Sequence, residues 1–281
     1  MTESNFPIQA AETPPPIPVV RQTPRWRWWI HLLLIGVYPA LGLLVRLGVG
    51  HSSRGPALSG SARGLLWVSG FELLLFSIFF ALACLISRAS REQLMLPWRP
   101  GWWVAPLGLV YSISIRIGLV MVSVAVVIVL AATRTMTPEK VQEYLNANRP
   151  DIDVLVSVSA MRDNPTYYWL TITLVSFVVA GLREEMWRAG TLAAMRVLWP
   201  RVFDSWRGQC LAVGLIALAF GFMHIQMGIL AAIAAGILGL FLGAIIVVHR
   251  SIWPAVIAHG FFDATSMAIL PWWIEKARQL H

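Results

Sequence analysis

Three short runs place ionisable side chains where an otherwise apolar chain has little reason to keep them. They are Gly181-Leu182-Arg183-Glu184-Glu185-Met186-Trp187-Arg188, Phe220-Gly221-Phe222-Met223-His224 and His259-Gly260-Phe261-Phe262-Asp263. On a helix, Glu184 and Arg188 stand i,i+4 and share a face, while Glu185 is turned about 100° away. His259 and Asp263 are also i,i+4, so imidazole and carboxyl project together. Two acids, two imidazoles and a further carboxyl are parts for hydrolysis. A carboxylate can take a proton from water as general base. One imidazole can share that proton or polarise a carbonyl, and a second can donate to the developing oxyanion. A preorganised donor of that kind is worth about 3–4 kcal/mol. Glu184, His224, His259 and Asp263 would equally satisfy tetrahedral zinc or another divalent metal; no other cofactor is indicated.

Each run also has a purely structural reading. Glu184 and Arg188 could be a neutralised pair inside a bundle, His224 an interfacial histidine, and His259 with Asp263 a hydrogen-bonded pair. Glu72 and Arg116, each alone in an apolar run, read most simply as an intramembrane ion pair. Phe220, Phe262 and Trp187 read as packing residues, unless the substrate is a lipidated chain for which an apolar wall is useful.

The elements that must carry these residues follow from composition. Of 281 residues, 57% are apolar and 13% charged, with 14 Trp, against roughly 45–50% and about 25% in ordinary globular chains. With a mean hydropathy of +0.67, too little polar surface remains to wrap the core, so lipid must be the solvent over most of it. Seven runs are long and apolar enough to span: 28–47, 64–87, 102–132, 166–198, 209–226, 228–248 and 252–273. Barrel strands would be about ten residues long and alternate in polarity, so the expected fold is all-α, a polytopic transmembrane helical bundle of about seven spans. The site is then formed by spans four, five and seven. Runs 102–132 and 166–198 exceed the roughly 20 residues a span needs and must tilt, protrude or bend.

Residues 1–27 form a Pro-rich tail ending in a collar of Arg21, Arg25, Arg27, Trp26, Trp28 and Trp29. The following run is a retained span rather than a cleaved leader. Spans one to three occupy 28–132, a polar connector 133–165, the candidate catalytic core 166–273 and a short tail 274–281. Within the connector, Thr137-Pro138-Glu139 starts a helix over 138–147, expected to be a plain surface helix rather than a lid. The +8 charge is a topology signal rather than a nucleic-acid footprint. Arg21–Arg27, Arg88, Arg91, Arg99, Arg196, Arg201, Arg207 and Arg250 fall on alternate connectors, which predicts a cytoplasmic N-terminus. The other connectors carry only Arg54 and Arg63, or balance their bases with acids. Cys84 and Cys210 have no CxxC partner and read as small apolar residues.

Depth is the test of convergence. In a hairpin turning near residue 203, Glu184 and His224 lie at one level, within about 3 Å at 1.5 Å per residue. His259 is about nine residues past Arg250, hence about 14 Å from that face, whereas His224 sits near the opposite face. Tilt, or a sunken connector, is required to bring the two histidines together.

The three runs resemble the motifs of the CPBP family of intramembrane proteases, also called the Abi family, which includes the type II CAAX prenyl endopeptidases. The family pattern is a Glu pair followed by Arg, then Phe-x-x-x-His, then His-x-x-x-Asn or Asp. Order, separate spans and the lead Ser251-Ile252-Trp253-Pro254-Ala255 all fit, over about residues 165–265. The resemblance implies Glu184 as catalytic base supported by Glu185 and Arg188, with His224 activating water. It implies His259 and Asp263 at the oxyanion. It implies either metalloprotease or metal-independent chemistry. Two features depart from the pattern. Two residues rather than three separate the Glu pair from Arg188, so counting back from Arg188 puts Arg183 in the first acid's place. Asp263 stands where Asn is usual, and an ionised Asp cannot donate as an amide does.

The resulting expectation is an intramembrane endopeptidase in a prokaryotic cell membrane, acting on a peptide or lipidated peptide. Membrane lipid is a partner and nucleic acid is not. The alternatives are a non-catalytic membrane scaffold or partner protein and, less favoured, a metal or proton transporter, whose usual two-half symmetry the sequence lacks.

Overall fold

The computed structural model describes residues 23–48, 59–133 and 136–279. The proline-rich stretch up to residue 22 and Arg54 lie outside them. Among the described residues the chain is entirely helical, with no strand. In order come α1 (Arg25–Gly48), α2 (Ala62–Ser87), α3 (Val104–Ala132), α4 (Pro138–Ala147) and α5 (Val158–Asp163). A composite rod follows: α6 (Pro165–Leu170), a π-helix (Thr171–Leu182) and α7 (Arg183–Leu198). A short α8 (Pro200–Phe203) leads to α9 (Trp206–Met223), α10 (Ile229–His249) and α11 (Trp253–Gln279). Five rods are long and apolar enough to cross a membrane: Ala62–Ser87, Gly101–Ala132, Pro165–Leu198, Trp206–Met223 and Ile229–His249. Helices α1 and α11 occupy the first and seventh expected stretches.

Two boundaries differ from expectation. α1 begins inside the basic-aromatic collar: buried Trp28 donates to the Thr23 hydroxyl (3.0 Å), and Arg25 reaches the Leu198 carbonyl, anchoring that first turn. α11 continues past residue 273 to Gln279. The connector helix forms where Thr137 predicts it, with the hydroxyl accepting from the Lys140 amide. The backbone amide and the Thr137 hydroxyl hold the exposed Glu139 carboxyl below its ordinary range. Most of α4 is exposed, as a surface helix should be. Beyond it Val156 is buried, and Pro150, Ile152, Leu155 and Val156 contribute to the wall of a cavity.

The excess length of the fourth span is absorbed by the π-helix. Its wider turn leaves side-chain groups five residues apart in register, as where the Ser176 hydroxyl donates to the Thr171 carbonyl (3.0 Å). More residues per turn shorten the rod, and such turns gather at functional sites. This one ends at Leu182, immediately before Arg183-Glu184-Glu185.

Close approach at two glycines fixes the helices that bear the site. α11 lies along the π-helix, where a Cβ on Gly181 would sit 3.0 Å from the Val256 carbonyl and 3.1 Å from that of Ser176. α9 and α10 pair antiparallel, where a Cβ on Gly221 would stand 2.7 Å from the Ala232 carbonyl. Backbone atoms cannot swing aside as side chains do, so larger residues would force these rods apart.

The depth conflict between the two histidines is resolved at both connectors. His224–Gly228, joining α9 to α10, is covered by the chain after α4, whose Asp151 amide donates to the Met227 carbonyl (3.0 Å). Ser251–Ile252, joining α10 to α11, is fully buried beneath the α2–α3 connector. There the Ile252 amide donates to Met95 (2.9 Å), Ser251 Oγ to Pro97 (2.8 Å) and Trp253 Nε1 to Leu96 (2.9 Å). The Ser251–Ile252 turn is thus sunk into the protein, and the His224–Gly228 turn is half-buried. The arginine-bearing connectors gather at one end through the Arg25–Leu198, His31–Ser87 and Met95–Ile252 contacts.

Candidate active site

Glu184, His224, His259 and Asp263 line one cavity of about 720 Å³, otherwise walled mainly by apolar residues of α1, α2, the π-helix, α9, α10 and α11. Side chains of α7, of the C-terminal end of α9 and of α11 thus meet in one place. The remaining two expected residues, Glu185 and Arg188, lie behind the wall and are essentially without solvent access.

The pairings differ from those expected. Arg188 takes Glu185 (i,i+3), not Glu184 (i,i+4), as its ion-pair partner. Its guanidinium lies over the Phe220 ring, 4.7 Å from the centroid. Both spacings are neighbours on a helix; the burial of Glu185 against α11 decides between them. There Glu185 Oε1 accepts from His259 Nδ1 at 2.9 Å. That bond orients His259, because a carboxylate can only accept. His259 Nε2 consequently faces Glu184 at 3.8 Å and Asp263 at 3.6 Å, ion-pair rather than hydrogen-bond distances. Asp263 is within electrostatic reach of His259, Glu184, His224 and Arg116.

His224 is positioned by the end of its own helix. The ring's Nδ1 lies 2.8 Å from the Phe220 carbonyl. A carbonyl cannot donate, so Nδ1 carries the proton and Nε2 is the free ring nitrogen, an acceptor when the imidazole is neutral. Phe220 stands between the histidines, with ring centroids 4.6 Å from His224 and 6.4 Å from His259. It is therefore a spacer within the site as well as a packing residue.

The expected Glu72–Arg116 pair does not form. Glu72 Oε2 accepts instead from Arg183 Nη1 (2.7 Å), whose Nη2 reaches Glu184 Oε1 (3.2 Å) and whose Nη1 is 3.3 Å from the Tyr38 hydroxyl. Arg116 turns toward α11, donating to the Phe262 carbonyl and the hydroxyls of Thr265 and Ser266, with its guanidinium 4.5 Å over the Phe262 ring. Arg183, Glu72 and Tyr38 are thus site residues that the motifs did not pick out. An acid alone in span two was the available signal for Glu72. Nothing in spacing marked Tyr38, and Arg183 was visible only as an interruption of the motif. The short spacing to Arg188 also finds its place here: Glu184 is the acid at the cavity and Glu185 the acid on the arginine, while Arg183 is occupied with Glu72 and Glu184.

Among the described residues, no group of three or more His, Cys, Asp or Glu side chains is arranged to hold a metal ion. Glu185, the acid nearest His259, is spent on Arg188 and on Nδ1. No step below passes through a metal ion.

Fold and site together define a helical membrane protein with acids and imidazoles enclosed by apolar walls. Residues 166–265 match the family model described as Type II CAAX prenyl endopeptidase Rce1-like. The match runs from α6 into α11 and leaves α1, α2 and α3 outside. No curated protein and no solved structure matches the chain.

Proposed function

We propose that this protein is an intramembrane endopeptidase that hydrolyses a peptide bond of a membrane-associated or lipidated peptide. The observation that carries the reading is the meeting of Glu184, His224, His259 and Asp263, from three helical rods, in one largely apolar cavity. The match of residues 166–265 to a CAAX-protease-type family supports the same reaction class. Glu184 takes a proton from water, and His224 Nε2 holds the same water by accepting its second hydrogen. The water oxygen then attacks the scissile carbonyl carbon. His259 Nε2, oriented by Glu185, stabilises the oxyanion when it carries a proton, and Asp263 holds that ring from the other side. Collapse of the tetrahedral intermediate breaks the C–N bond, and the proton held on Glu184 passes to the leaving amine. General-base help of this kind contributes about 10²–10⁴-fold.

The test is cleavage of a membrane-peptide library in detergent by wild type, Glu184→Gln and His224→Ala. Loss of turnover in both variants, with folding intact, is expected. Wild-type turnover in both would remove the protease reading and favour a scaffold. The transporter reading predicts ion flux in proteoliposomes, and none is expected.

A further inference from the structure

We infer that Glu72 is a positioning residue for the general base. It holds one arm of the Arg183 guanidinium, so that Arg183 takes one oxygen of Glu184 and leaves the other free for water. This deepens the endopeptidase reading and rests on it.

An arginine that immediately precedes an acid in a helix can close on both carboxylate oxygens at once. The Arg162–Asp163 pair of α5 does so, with Nε donating to Oδ1 (2.7 Å) and Nη2 to Oδ2 (3.2 Å). Two bonds from a rigid fork are the strong form of this contact. Arg183 and Glu184 follow in the same order at the start of α7, yet only Nη2 reaches the acid, on Oε1 (3.2 Å). Nη1 is drawn the other way. It donates to Glu72 Oε2 at 2.7 Å, the shorter of the two bonds, and stands 3.3 Å from the Tyr38 hydroxyl. The buried Nε has no partner among the described residues.

The consequence falls on Glu184 Oε2. Among the described residues it accepts no hydrogen bond, and His259 Nε2, at 3.8 Å, is beyond hydrogen-bond reach. Oε2 is thus the oxygen available to take a proton from water in the cavity that Glu184, Glu72 and Arg183 all line. Without a carboxylate at position 72, Nη1 would turn to the acid that Nη2 already holds. The base would then have to break a charge-assisted hydrogen bond at every turnover. Glu72 lies on α2, outside the region matched to the protease family, whereas Arg183 and Glu184 lie inside it. The acid that keeps the base clear therefore comes from the part of the chain that the family match does not cover.

The experiment uses the full chain in detergent micelles. The probes are an S-farnesylated peptide ending in a free-acid Cys-a-a-X sequence and the membrane-peptide library. Cleavage is read by mass spectrometry as kcat per folded molecule and as KM. In Glu72→Gln, kcat should fall about tenfold or more while KM stays near the wild-type value, because Glu72 acts on the base and not on the substrate. Glu72→Asp keeps a carboxylate for Nη1 and should be less impaired. The deciding variant combines Glu72→Gln with Arg183→Met. With no guanidinium to close on Glu184, kcat should climb back toward wild type, whereas an ion pair that only stabilises the fold would leave kcat per folded molecule unmoved throughout. A folded Glu72→Gln with wild-type kcat, or a double variant no faster than Glu72→Gln, overturns the inference while the protease reading stands. Turnover of none of the probes by wild type overturns the protease reading and the inference with it. Should Glu72→Gln fail to fold, the double variant decides alone: kcat within about tenfold of wild type upholds the inference, and a lower value overturns it.

Discussion

Glu184 and Glu185 are adjacent in the chain and serve opposite regions of the molecule. The cavity wall holds Glu184 with Arg183, Glu72, Tyr38 and His224, whose polar atoms retain access to the chamber. The seam between α7 and α11 holds Glu185 with Arg188, His259 and Phe220, all buried. In the wall, charges satisfy one another across helices α1, α2 and α7 and still meet a visitor. In the seam, charge is matched at close quarters, and its purpose is to hold one imidazole at one angle. The same residue type thus faces the cavity where it has access and fixes geometry where it has none.

Substitutions can break that contrast, beginning with the acid at the cavity. Glu184→Gln should lower turnover by about 10²–10⁴-fold, with an unchanged unfolding midpoint in detergent; near-normal turnover would erase the distinction. Glu185→Ala strands a buried guanidinium and should cost about 3–5 kcal/mol of stability, read as a large fall in that midpoint and in the yield of folded protein. A stable Glu185→Ala chain that merely lost activity would move Glu185 into the wall. Gly181→Val presses a side chain against the Val256 carbonyl and should cost about 1–3 kcal/mol. It should also depress turnover, because the α11 seam carries His259. Least affected should be Tyr38→Phe. The hydroxyl lies 3.3 Å from Arg183 and 3.4 Å from the Glu72 carbonyl, so about 0.5–1.5 kcal/mol is at stake, visible as a slight drop in midpoint. A loss of turnover comparable to that of Glu184→Gln would instead place Tyr38 among the reacting groups.

Much of this was legible from residues alone, and the limits have physical causes. Hydropathy marked the five helices that are long and apolar enough to cross a membrane, because lipid imposes a composition on them. It could not rank them by depth in the fold. The spans Gly101–Ala132 and Ile229–His249 are equally apolar, yet 6% of the first and 50% of the second lie buried within the protein over their most apolar stretch. Lipid and protein interior look alike to an apolar side chain; what sets α10 apart is its run of Gly and Ala, which lets α9 approach. The cap at Thr137 was legible because it depends on residues three apart. The partners of Glu72 and Arg188 were not, because Glu72 had two cations and Arg188 two acids within plausible reach, and only packing chose between them. The π-helix was invisible, since Thr171–Leu182 reads as an ordinary apolar run.

By itself the sequence determined the solvent of this protein, its all-helical architecture and the side chains able to do acid–base chemistry, because burial cost and helical period act over short stretches of chain. Tertiary structure alone decided which acid faces the cavity, which arginine neutralises which carboxylate and how two histidines from different depths meet. Those outcomes depend on a sunken connector, a widened helical turn and backbone contacts at glycine, all of which arise between segments distant in sequence.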